Sequence, residues 1–83
     1  MMLQIYSIYD SKSKAFSQPF SSANDQVAIR QFTTLASEQG NNVNKFPEDF
    51  SLHHIGEFDD STGMLVALPH ENLGLASQFQ TRE

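Results

Sequence analysis

Phe50-Ser51-Leu52-His53-His54-Ile55-Gly56-Glu57-Phe58, then Asp59-Asp60-Ser61-Thr62-Gly63, then Met64-Leu65-Val66-Ala67-Leu68, is the stretch that decides the fold. Side chains along a strand alternate between faces. The first segment therefore sets Phe50, Leu52, His54 and Phe58 on one face, and Ser51, His53, Ile55 and Glu57 on the other. The middle segment is rich in turn formers, and Gly63 suits a positive φ at the end of a hairpin loop. The third is a short apolar return strand that Pro69 is expected to end, since proline cannot donate to a ladder. The segments together predict an antiparallel hairpin.

Upstream, Asn41 to Asp49 reads as a loop holding Phe46-Pro47. Before it, Ser22-Ala23-Asn24-Asp25 matches the Ser-x-x-acid start of a helix, and helical spacing continues to Gln39. Ala28, Ile29, Phe32, Leu35 and Ala36 fall within one arc of that helix, which predicts an amphipathic element of about four turns. Gly40 follows as a C′ residue, and Asn41-Asn42 supports the stop. At the beginning, Leu3 to Tyr9 is β-branched and aromatic and reads as a strand, with apolar groups on both faces. Asp10 to Lys14 breaks it with turn residues, and the loop to Ser21 carries Phe16, Pro19 and Phe20. Downstream, His70 to Phe79 fits either a short helix or a last strand.

The expected fold class is α+β. A small, mainly antiparallel sheet of three or four strands carries one amphipathic helix on a face, in the order β-α-β-β plus a tail. With 83 residues the chain is one domain, 1–83, whose tail 69–83 is expected to be less ordered. A single layer of this kind leaves its second face in need of cover, which predicts a homo-oligomer, a dimer or higher.

Composition excludes several chemistries. There is no cysteine, so disulfide scaffolds, thiolate metal sites and thiol nucleophiles are ruled out. The longest apolar run, Met64 to Leu68, is far below the ~20 residues of a membrane-spanning helix, so no membrane partner is expected. His53 and His54 are adjacent on a strand and point to opposite faces, so they cannot share a metal without a bulge. Asp59 to Gly63 lacks the spacing of a calcium loop. No phosphate-binding glycine loop or nucleophile elbow is present. Neither an enzyme nor a cofactor is expected.

The net charge of −5 argues against a generic nucleic-acid binder, but its distribution is uneven. Residues 1–46 set Lys12, Lys14, Arg30 and Lys45 against Asp10, Asp25 and Glu38. Residues 47–83 set Arg82 alone against Glu48, Asp49, Glu57, Asp59, Asp60, Glu71 and Glu83. Single-stranded nucleic acid is held by aromatic stacking plus cations on phosphates, neither of which demands a motif. The candidates lie in the first half: Lys12, Lys14 and Arg30 for phosphates, with Tyr6, Tyr9 and Phe16 as stacking faces. The bland alternative makes the lysines solvated charges and anchors the loop phenylalanines in the core.

Several segments, taken in order, resemble the small nonstructural protein of gokushoviruses, single-stranded DNA bacteriophages of the Microviridae. They are Ile5-Tyr6-Ser7-Ile8-Tyr9-Asp10-Ser11-Lys12, Phe16-Ser17-Gln18-Pro19-Phe20, Ala28-Ile29-Arg30-Gln31-Phe32, and Pro47 through Gly63. Their order and separations cover the chain to about Leu68. That family is often labelled DNA-binding and linked to single-stranded genome synthesis. The resemblance thus implies a nonstructural phage protein of the host bacterial cytoplasm that binds single-stranded DNA and supports genome synthesis or packaging. The alternative is a protein-interaction module that acts on phage or host replication proteins, or on capsid assembly, without touching DNA.

Overall fold

The computed structural model describes residues 1–80; residues 81–83, the end of the expected tail, lie outside the described residues. In chain order the elements are β1 (Met2–Asp10), β2 (Ala15–Phe16), β3 (Phe20–Ser22), α1 (Asp25–Ser37), α2 (Asn42–Lys45), β4 (Phe50–Asp59), β5 (Leu65–Leu75) and α3 (Ala76–Phe79). The strands form one five-stranded sheet in the order β2–β1–β4–β5, with β3 on the same edge of β1 as β2. Every pairing is antiparallel. The α+β class stands, with two strands more than the hairpin and first strand alone supply. The segment 15–22, read as loop, runs back along β1 in two short pieces.

The helices pack on one face. Ala28, Phe32 and Ala36 of α1 are fully buried over Tyr6 of β1 and Leu52 of β4, and Val43 and Ala76 close the ends of this core. Phe32 meets Phe79 of α3 edge to face, with ring centroids 6.2 Å apart. The face read from helical spacing is thus the face that docks. Its cap differs: Asn24, not Ser22, holds the N-cap, and its Oδ1 accepts a 3.0 Å bond from the Val27 amide. Ser22 is taken by β3, where it pairs with Gln4.

Asn41 serves both helices. Its Nδ2 donates to the carbonyls of Leu35 and Glu38, while its Oδ1 accepts from the Asn44 amide and so starts α2. Helix ends leave backbone groups unpaired, and these asparagines supply the missing partners. The segment 41–49 therefore holds a helical turn where the sequence predicts loop.

Two features of the hairpin depart from simple alternation. The β1–β4 register shifts between Ile5 and Tyr6, so Tyr6 opposes His54 while Ile5 opposes Gly56 and Gln4 opposes Glu57. The unpaired Ile55 is a β-bulge, which reverses the parity of everything after it. Glu57 joins the helix face and Phe58 turns to the other, the opposite of the alternation first read. At the bulge the backbones approach closely: a Cβ on Gly56 would lie 2.5 Å from the Val66 carbonyl oxygen. Second, Pro69 does not end β5. Pairing resumes at Glu71 after a shift opposite Ile55, shifts again at Leu73 between Asn72 and Gly74, and the strand runs on to Leu75 before α3. Proline is tolerated there because β5 is the edge strand and the ladder is already interrupted. Residues 70–79 are thus strand first and helix afterwards.

Candidate nucleic-acid interface

With Gln4, Tyr6 and Ile8 turned to the helices, β1 presents Leu3, Ile5, Ser7 and Tyr9 on the other face. No helix covers that side among the described residues. The β1–β2 pairing sets Phe16 against Tyr9, and their ring centroids lie 4.7 Å apart. The β1–β4 register brings His53 alongside, 6.0 Å from Tyr9 and 5.5 Å from Phe16. From β5, His70 reaches the far side of Phe16, again at 5.5 Å and edge-on. Phe16 is the hub of a four-ring cluster and remains 46% exposed.

His53 Nε2 lies 2.9 Å from Ser51 Oγ, and its Nδ1 is buried without a hydrogen-bond partner. Burial lowers the pKa of this ring, and the charge of His70 lowers it further. The His53 ring is therefore held toward its neutral form.

The turn that joins β1 to β2 carries two lysines. Asp10 accepts from the Lys12 amide through its side chain and from the Lys14 amide through its carbonyl. Lys14 closes the turn with φ 57°, in the left-handed region that non-glycine residues rarely adopt. Both side chains are exposed. Lys12 also borders a cavity of about 470 Å³ with Asp10, Phe46, Asp49 and Phe50, on the helix side of the sheet.

The strand carboxylates are sorted away from the aromatic face. Glu57 receives a bond from Gln4 Nε2, and Glu71 lines a cavity of about 460 Å³ with Asp25 and His54 beside the start of α1, on the helix side. Asp10 follows Tyr9 and so also points to the helix side. Asp59 and Asp60 lie at the opposite end of the sheet, as Asp59 pairs with Met2 while Asp10 pairs with Phe50. Eight steps along β1 at ~3.4 Å put that end ~27 Å from the lysine turn. At physiological salt, where the Debye length is ~8 Å, such charges scarcely interact.

The sequence candidates divide accordingly. Tyr9 and Phe16 meet on the open face, and the turn that carries Lys12 and Lys14 lies at that end of the sheet, with Lys12 bordering the cavity on the helix side. Tyr6 does not join them: it is fully buried on the helix side, and its hydroxyl donates a 2.6 Å bond to Asp25. Burial and that carboxylate raise its pKa, so the phenol stays protonated, and no base can reach its ring. Arg30 is exposed on α1, across the sheet from the cluster. His53 and His70 are members that the sequence reading left out. Period-2 alternation separated His53 from His54, but only the β1–β4 register shows that His53 shares a face with Tyr9.

Fold and face together define a small antiparallel-sheet protein backed by one principal helix, with no helix on its other side among the described residues. The family profile of the Phage ORF5 protein matches residues 3–79, and the chain belongs to that family. Protein ORF5 of Chlamydia phage 1 is 36% identical over 67 residues, which cover 76% of this chain and 70% of that protein. The chain is a bacteriophage protein of the Microviridae, as the resemblance in the sequence implies. No solved structure matches it. No helix among the described residues is long and apolar enough to cross a membrane.

Proposed function

We propose that this protein binds single-stranded DNA across the open face of its sheet, in the cytoplasm of the infected bacterium, in support of viral genome synthesis or packaging. The role is binding and not catalysis. One observation carries the reading: a partly exposed aromatic cluster lies on a face free of strand carboxylates, beside a two-lysine turn, in a protein of net charge −5. Sheet faces with exposed aromatic rings bind single strands because every base offers a π-face, whatever the sequence. Phe16 and Tyr9 would stack bases, with His53 and His70 setting the edge of the platform. Lys12 and Lys14 would hold phosphates. Two phosphate contacts imply a shallow salt slope of about −1.4, at ~0.7 per contact on a single strand.

The test is fluorescence anisotropy of labelled single-stranded and duplex oligonucleotides at about 50 and about 200 mM salt. Single strands should bind better than duplex, since a duplex hides its base faces. Phe16→Ala should weaken single-strand binding by roughly five- to 150-fold, as stacking is worth ~1–3 kcal/mol per base. The Lys12→Ala/Lys14→Ala double variant should weaken it with a flatter salt slope and an unchanged melting temperature. If the parent shows no binding at low salt, the DNA reading falls and the face serves a protein partner.

A further inference from the structure

The two edges of the sheet are finished differently. The β1 edge is covered by β2 and β3, of two and three residues, with Pro19 between them. The other edge is β5, eleven residues long, whose outer backbone groups have no strand beside them among the described residues. Natural sheets guard such an edge with charge, proline or a bulge, because an open ladder recruits another strand. Here Pro69 and the register shift guard only the second half. From Ser61 to His70 there is no Asp, Glu, Lys or Arg. Met64, Leu65 and Val66 in that stretch are 64%, 70% and 39% exposed.

We propose that this half-edge pairs with the same segment of a second copy, Leu65–Leu68 against Leu65–Leu68, antiparallel. The occupant follows from charge. Two copies each carrying −5 repel over most of their surfaces, and this uncharged apolar strand lets them approach without opposing carboxylates. The pairing is isologous and closes at two, because each copy has one such edge. Antiparallel pairing places the two-fold axis perpendicular to the sheet. The product is a ten-stranded sheet with both open faces on the same side and neither covered by the partner. The inference stands apart from the DNA reading, since its test contains no nucleic acid.

The paired segment is short and buries less than the ~1,200 Å² of a standard interface, so association should depend on concentration. Sedimentation equilibrium of the full chain from about 1 μM to about 1 mM should show the mass rising from 9.3 kDa toward twice that value. Leu65→Lys/Val66→Lys sets like charges across the two-fold axis and should hold the mass at 9.3 kDa throughout, with the melting curve of the dilute protein unchanged. The chain has no native cysteine, so single variants Leu65→Cys, Val66→Cys and Ala67→Cys report directly. At least one should give a disulfide-linked dimer on mild oxidation, while Glu38→Cys on the helix side should not. A parent that stays monomeric at the highest concentration overturns the proposal. So does a dimer that none of the three strand cysteines captures but Ile5→Cys on the open face does, since that dimer would be packed face to face.

Discussion

On the helix side of the sheet, Tyr6 and Leu52 are sealed beneath Ala28, Phe32 and Ala36, whereas on the other side Phe16 and His70 keep contact with solvent. The helix side also collects Asp10, Glu57, Asp25 and Glu71, so the face that carries stability carries the acids as well. The open face keeps rings and no strand carboxylate. A protein of net charge −5 can thus hold a surface compatible with phosphates, because the pleat sorts charge by parity and not by position in the chain. The contrast predicts that helix-side changes should cost stability, and open-face changes should cost binding.

The sharpest way to break that contrast is Phe32→Ala. Truncating a fully buried phenylalanine costs roughly 3–5 kcal/mol, which for a domain this small approaches its whole stability. Denaturant melts should show a largely unfolded protein, and an unchanged midpoint would mean that α1 does not hold the core. Next comes Gly56→Ala, which drives a methyl against the Val66 carbonyl oxygen and should cost about 1–3 kcal/mol as the bulge and β5 shift. A neutral result would show that the two backbones are not in close contact.

Lys14→Gly sharpens the comparison at a smaller scale. Relief of the left-handed backbone should raise stability by roughly 0.5–1 kcal/mol, while the loss of one phosphate contact should flatten the salt slope by ~0.7. Stability and binding would then move in opposite directions. A fall in melting temperature would locate the turn's strain elsewhere.

The smallest effect concerns His53. Its pKa in the folded state lies below the ordinary 6.5. Its stabilising contribution is therefore complete above that value and is lost as pH falls through the folded pKa. Melting temperatures measured from about pH 7 to about pH 5 should decline more steeply for the parent than for His53→Asn. Parallel curves would remove His53 as the source.

The sequence is legible where periodicity acts locally. The α1 face, the hairpin loop with Gly63 at φ 78° and the first strand all follow from spacing and turn chemistry. Parity beyond Ile55 does not: Gly56 marks a bulge or a close backbone approach, but the glycine alone does not say that an extra residue is inserted, so Glu57 and Phe58 exchange faces against simple alternation. Pro69 misleads for a related reason: its cost vanishes on an edge strand where the ladder is already broken. At the candidate site, Tyr9, Phe16, Lys12 and Lys14 lie within eight residues, and chain proximity alone gathers them. Tyr6 shares that proximity but faces the core. His53 and His70 come from strands whose register only long-range pairing defines.

The place of β1 in the sheet also sets a timetable. Its residue Ile5 pairs with Gly56, fifty-one positions later, whereas Gln4 pairs with Ser22 after only eighteen. At ribosomal rates of ~5–20 residues per second, roughly 3–10 s separate the synthesis of β1 from that of its central partner. During that interval the nascent chain can form the β1–β3 hairpin, while the apolar groups of α1 have only half a floor to rest on. Leu52 must arrive before Phe32 has a complete seat, and Ala76 and Phe79 come later still. Folding of this domain is therefore gated by the emergence of its last third, and until then the strand destined for the centre of the sheet is an edge.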